Sequence, residues 1–387
     1  MVSMKVIRMH LLGVTAMILL TGCWNRIEIN DIAIVTAIGL DLAEGEKLRL
    51  SLQVAVPSKL GSTGGSGGGT GGKSTIVISE TGETVSEAYR NIQGKLSRRI
   101  FFSQSRVLLI GEELAKKGVH HIIDFHTRYA EPRINSFIMF TKGKASKIIN
   151  NMPKFESVSA EEMKELAKMN VGLKIYVRDF LNMLLTDGME PFAPQYTLES
   201  LEVNAKNKSG KIQAVDGIAV FKKDKLIGWM DEVETRGLLW LRNEIKTGVI
   251  TIKIPEEDGG GNISMEIVRA DTNIVPILKH GEIKMTVNVI SELSVIENDS
   301  KLKLYETRVI EEIQKNIENE IRDKIQIVVD IAQKEYQSDI LGFGQSVYKK
   351  YPKEWNTNYK KNWEQEFAQV KVTINSKAFV RRIGLIK

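Results

Sequence analysis

Four groups of residues have types and spacings that could do chemistry, and the strongest centres on the only cysteine of the chain. Leu20-Thr21-Gly22-Cys23 sets an aliphatic residue and two small ones ahead of a thiol. A thiol is the nucleophile that accepts a diacylglyceryl group, and small side chains on its amino side let a peptidase reach the bond to be cut. Upstream, Lys5 and Arg8 form a basic segment and Leu11 to Leu20 a mostly apolar one, the order of an export signal. The apolar run is about half of the roughly 20 residues that a permanent membrane helix needs. The expectation is cleavage after Gly22 and lipidation of Cys23 by diacylglycerol and palmitate. The mature chain would then sit on the outer face of the cytoplasmic membrane, because two or more acyl chains at about 0.8 kcal/mol per buried methylene hold a protein firmly.

The other three groups fail on context. Gly67 to Ser74 fits the phosphate-binding pattern G-x-x-x-x-G-K-[ST], but such a loop needs a strand before its glycines and a helix after Lys73 and Ser74. Here a glycine tract precedes it and the β-branched run Thr75-Ile76-Val77-Ile78 follows. Gly64-Gly65-Ser66-Gly67-Gly68 matches a nucleophile elbow, yet a glycine, serine and threonine tract cannot hold the strained turn that exposes such a serine. His120, His121, Asp124 and His126 fall in one helical stretch, with His120 and Asp124 spaced to share a face. Metal ligation needs about three converging ligands, so these read as solvated helix-surface histidines. Glu112-Glu113 and Glu161-Glu162 read as helix-surface charges. No catalytic residue, cofactor or metal is expected.

Composition agrees. The chain has 387 residues, 42% hydrophobic and 26% charged, which fits two or three domains folded in water. Removing Lys5 and Arg8 with the leader would lower the formal charge from +6 to +4. Basic and acidic residues alternate throughout, unlike the concentrated basic element of a nucleic-acid binder, so the surplus suggests at most a bias toward anionic headgroups. With one cysteine, no intramolecular disulfide can form.

The elements that must position these residues follow from periodicity. Asp31 to Asp41 reads as a buried strand, and Leu48, Leu50, Leu52, Val54 and Val56 alternate with Arg49, Ser51, Gln53 and Ala55 as a half-buried one. Glu44-Gly45-Glu46 suggests a hairpin between them. Residues 61–72 form a flexible glycine-rich loop. A strand at 75–79 leads to a helix opened by the capping box Thr84-Val85-Ser86-Glu87. A strand at 106–110, a helical stretch from Glu112 to about Arg128, a strand at 136–141, a helix from Lys144 and more helix between Ala160 and Leu185 follow.

The second half opens with strands near 196–203, 212–221 and 226–230, then a helix over 231–245 and strands at 248–254, 263–273 and 282–294. Ile310, Ile313, Ile317, Ile321, Ile325, Val328 and Ala332 then mark a long amphipathic helix. The fold class expected is α+β: a multi-domain ectodomain of mixed, mostly antiparallel sheets packed with helices, with the strands and helices in separate clusters. Residues 1–22 are the leader, 23–195 an N-terminal α/β domain and 196–387 a C-terminal α/β domain with room for two subdomains.

The run Cys23-Trp24-Asn25-Arg26-Ile27-Glu28-Ile29-Asn30-Asp31, continuing to Gly39-Leu40-Asp41, resembles the opening of the Ger(x)C family of spore-germination lipoproteins. Later runs agree in order: Ala130 to Phe137, Asp216 to Trp229, Glu234 to Trp240, Ser338 to Gly344, then Trp355 and Trp363 to Phe367. Two departures stand out, Asn25 for the usual Asp and Arg133-Ile134 for a polar pair such as His-Glu. The resemblance implies the C subunit of a nutrient germinant receptor, working beside membrane-embedded A and B subunits that respond to small amino acids, sugars or nucleosides. It implies coupling or assembly rather than catalysis. The alternative is a solute-binding lipoprotein that captures the nutrient itself; such proteins use repeated βαβ units with a hinge.

Overall fold

The structure, a computed structural model, describes residues 28–56, 74–129, 131–151, 153, 156–169, 173–201 and 210–384, with isolated positions between 4 and 13. Leu20 to Cys23, where lipidation is expected, and the glycine tract 61–72 with Lys73 lie outside the described residues. The chain is mixed α+β, built on two sheets.

The first sheet begins with β1 (Ile32–Leu42) and β2 (Leu48–Ala55), an antiparallel hairpin closed by a 3-10 turn at Glu44–Glu46, with β3 (Thr75–Gly82) paired outside β2. The capping box is half formed. Thr84 accepts the Glu87 N–H at 3.1 Å and opens α1 (Val85–Gln93), but the Glu87 carboxylate reaches the N–H of Glu83 rather than of Thr84. Short β4 (Arg99–Phe101) runs parallel to the start of β1, and β5 (Val107–Gly111) parallel to its middle.

The single helical stretch expected next is two helices, α2 (Glu112–Lys117) and α3 (His120–Arg128). They break at Gly118, whose φ of +126° no helix can accommodate. Then come β6 (Phe137–Thr141), α4 (Ala145–Ile149), α5 (Ser159–Lys168) and α6 (Val177–Leu185).

The sheet continues through β7 (Phe192–Leu201), β8 (Gly210–Lys222) and β9 (Lys225–Met230), in the order β3-β2-β1-β5-β6-β7-β8-β9. β5 to β6 and β6 to β7 are parallel steps with helices between, so strands and helices are interleaved here and the expected separate clusters are corrected. Parallel neighbours need such crossovers, and strands covered on both faces lose their alternation. The expected divide at residue 195 falls inside β7, and β6 meets β7 through one register pair, Phe140 with Gln195.

Both faces of the middle of this sheet are covered. Leu108 and Ile110 pack with α1, α2 and α3, while Val107, Leu109 and Met139 pack with α4 and α5. β2 is therefore buried on both sides, correcting the half-buried reading. Ser51 bonds Ser79, and Gln53 donates to the Ile149 carbonyl and to Ser159, each at 2.8 Å. Buried polar side chains of this kind persist because every donor finds an acceptor. Glu162, expected at the surface, is also buried.

After β9 come α7 (Glu232–Leu241), β10 (Val249–Lys253), the long hairpin β11 (Asn262–Lys279) and β12 (Glu282–Asn298), and α8 (Thr307–Asp330). α8 ends in a π-turn at Ile331–Glu335; α9 (Phe343–Lys350), α10 (Trp363–Gln369) and β13 (Lys371–Arg382) complete the chain. The second sheet has the order β10-β11-β12-β13, with β13 parallel to β12.

The isoleucine stripe of α8 faces inward at Ile313, Ile317, Ile321 and Ile325, each worth roughly 1.5–3 kcal/mol on burial. Ile310 is half-buried, and Val309 takes the inward place at that end. α7 packs close to α8 because Gly237 has no side chain; a Cβ there would lie 2.3 Å from the Lys324 carbonyl oxygen.

Candidate functional site

A buried polar clasp surrounds Asp339, in the turn between α8 and α9. Its Oδ1 accepts the N–H groups of Gly342 at 2.8 Å and Phe343 at 3.0 Å, and Oδ2 accepts those of Gly344 at 2.8 Å and the Trp363 indole at 2.9 Å. The Asp339 carbonyl receives the Glu190 N–H, the Gly188 carbonyl receives the Gln345 N–H, and the Ser338 hydroxyl donates to the Phe221 carbonyl.

These bonds tie the C-terminal segment to the approach of β7 and the end of β8. The two chains touch at glycines: a Cβ on Gly344 would lie 2.6 Å from the Gly188 Cα, and Gly188 has a φ of +72°. Trp355 and Trp363 close the site edge to face, 5.1 Å between ring centroids. Burial pushes the Asp339 carboxyl up to about 6, against the four donors that pull it down. Every oxygen faces backbone or indole donors, so the carboxylate fastens chain segments together.

The histidine cluster does not converge. His120 and His121 are exposed and meet edge to face, and Asp124 pairs with Arg128 at 2.8 Å. His126, expected at the helix surface, is buried with Nδ1 against the Ile122 carbonyl at 3.0 Å, because it follows Ile122 by one turn on the inward face of α3. Burial lowers it to about 4. Among the described residues no three His, Cys, Asp or Glu side chains gather as a metal site. His121 and Asp124 instead line a groove of about 630 Å³ whose walls include Leu42, Leu48, Val85, Leu114, Phe125 and Tyr129.

Comparison with known proteins identifies the architecture. A family model described as "Spore germination protein N-terminal domain" matches residues 25–198, and one described as "Spore germination B3/ GerAC like, C-terminal" matches residues 216–384. A curated relative, the putative spore germination protein YfkR of Bacillus subtilis, is 30% identical over 361 residues, spanning 92% of this chain and 91% of its own. The chain belongs to the GerAC family of spore germination proteins.

Spore germination protein KC of the same organism is 28% identical over 388 residues, covering 96% of this chain and 94% of its own. The crystal structure of the GerBC protein shares the fold with a TM-score of 0.55 at 19% identity, covering 89% of this chain and 97% of that one.

The runs that carried the GerAC resemblance turn out to be joints of the fold. Asp41 is buried and accepts the N–H groups of Ala145 at 2.6 Å and Ser146 at 3.0 Å, capping α4 from a distant strand. Gly217 has a φ of +92°, and a Cβ there would lie 1.9 Å from the Met230 carbonyl oxygen. Trp229 donates to Glu112 at 3.3 Å, and its carbonyl receives the Tyr336 hydroxyl at 2.9 Å. Asp231 and Glu234 form a complete capping box on α7. Asp339 is absent from the residues that spacing singles out; an aspartate followed by Gly342-Phe343-Gly344 at the mouth of a helix is the sequence signal for its role.

Proposed function

We propose that this protein is the lipid-anchored C subunit of a nutrient germinant receptor, held through Cys23 on the outer face of the cytoplasmic membrane, which in a spore is the inner membrane. There it assembles with membrane-embedded A and B subunits and couples nutrient sensing to germination without catalysis of its own. The observation that carries this reading is the end-to-end relationship to spore germination proteins, protein KC among them at 96% coverage of this chain. The signal before Cys23 supports the anchor. The burial of Asp339 against four N–H donors favours a structural over a catalytic role.

The test is a Cys23→Ala strain. It should move the protein from the spore membrane pellet to the soluble fraction, or leave an uncleaved precursor, and slow nutrient germination. A normally processed, membrane-bound Cys23→Ala protein that supports full germination would overturn the proposal. A second reading, direct nutrient capture, draws on the interleaved β–α–β steps and on the groove beside Phe125 and Tyr129. Saturable calorimetric heat from amino acids or sugars would favour it.

A further inference from the structure

The tether fixes which end of the molecule meets the bilayer. Four residues lie between Cys23 and Glu28, the first residue of the continuous described chain, so the two Cα atoms are at most about 18 Å apart. β1 starts at Ile32 and runs away from that point for 11 residues, so its far end is roughly 33 Å further on. Parallel pairing carries the same polarity to neighbouring strands: Ile32 pairs with Arg99, Ala37 with Val107, and Val107 with Phe137. The segments that lead into β1, β4 and β6 therefore share the anchored end.

Cross-links hold those segments together. Arg99 reaches Glu131 at 2.8 Å, and the Arg178 guanidinium reaches Asn135 at 3.0 Å while its N–H bonds the Ile134 carbonyl. Two isoleucines stand out from this end, Ile29 at 67% and Ile134 at 46% exposure. Among the described residues of this end the charges balance. Arg99 pairs with Glu131 and Arg178 with Asp179, while exposed Arg98 and Arg133 are offset by exposed Glu28 and Asp31.

We infer that this end, with Ile29 and Ile134 as its apolar contacts, rests in the headgroup layer of the bilayer. The contact is set by the tether and by the two isoleucines, not by anionic lipid, since a balanced surface gains little from a negative membrane. The opposite end, with the Glu44–Glu46 turn, points into the aqueous space. The inference rests on the anchor reading and adds an orientation to it.

The experiment uses the full chain, processed in a lipoprotein-competent host and reconstituted into phosphatidylcholine–phosphatidylglycerol vesicles carrying a nitroxide lipid. Bimane is attached at Ile134→Cys, Ile29→Cys or Glu44→Cys in separate preparations, Cys23 being blocked by its own lipid. Quenching should be several-fold stronger at positions 29 and 134 than at 44, and unaffected by added salt. Equal quenching at all three, stronger quenching at 44, or loss of the pattern in high salt would overturn the orientation while leaving the anchor intact. A chain that does not float with the vesicles would overturn the anchor reading and the orientation with it.

Discussion

Replacing Asp339 by Asn tests whether the clasp is held by donors or strained by buried charge. The side chain keeps its shape and one oxygen, so the bonds from Gly342 and Phe343 can persist, while an amide NH2 is turned toward the donors of Gly344 and Trp363. Two stranded buried donors cost roughly 1–3 kcal/mol each, about 2–6 kcal/mol in all.

Against this, a carboxyl raised from 3.8 to about 6 carries a penalty for ionisation. At pH 7 that penalty is about 3 kcal/mol, and Asn removes it. The net loss at pH 7 should stay under about 3 kcal/mol. Because the folded pKa is raised, the stability from Asp339 is fully present below about 4 and is lost as pH rises through 6. The wild type should therefore gain about 1 kcal/mol over Asp339→Asn when pH falls from 7 to 5. Urea unfolding of both proteins at the two pH values gives this difference directly. A gap that shrinks on acidification would refute the reasoning, because it would mean the donors hold the carboxylate ionised despite burial.

His126 titrates in the same window with the opposite sign: lowered to about 4, it supplies stability that is present above 6.5 and lost as pH falls. His126→Leu should spare the protein about 2 kcal/mol of acid destabilisation between pH 7 and 5, read from the same urea midpoints. Gly237→Ala must push α7 off α8, and overpacking of this kind costs about 1–3 kcal/mol, visible as a lower melting temperature by circular dichroism. Replacing residues 61–72 by a short linker should change stability little, since loop closure varies by only about 0.6 kcal/mol per doubling of length. Lys73→Ala should germinate normally; its failure at normal protein levels would revive nucleotide binding.

Local periodicity was readable wherever one neighbour decided burial. The stripe from Ile313 to Ile325 lies where spacing put it, because one helix face settles which side is inward, and the β1–β2 hairpin falls where the turn at Glu44-Gly45-Glu46 put it. Ser51 and Gln53 mislead because polarity suggests exposure; Ser79 on β3 pairs with Ser51, and α4 and α5, more than 90 residues away, supply the acceptors that let Gln53 be buried. His126 misled for the same reason. The parallel partners were not legible, since β12 meets β13 across more than 70 residues and no local signal marks that pairing. The clasp has both causes: Gly342 and Gly344 announce a turn, but the contacts with Gly188 and Trp363 exist only once the halves have met.

The proposed role is docking beside membrane partners. Crosslinking in intact spores, followed by recovery of a tagged copy of this chain from the inner membrane, addresses it most directly. Covalent adducts containing germinant receptor A or B subunits are expected, and they should disappear when Cys23 is replaced by alanine. A chain that accumulates normally at the membrane yet yields no adduct with either subunit would contradict the proposed docking.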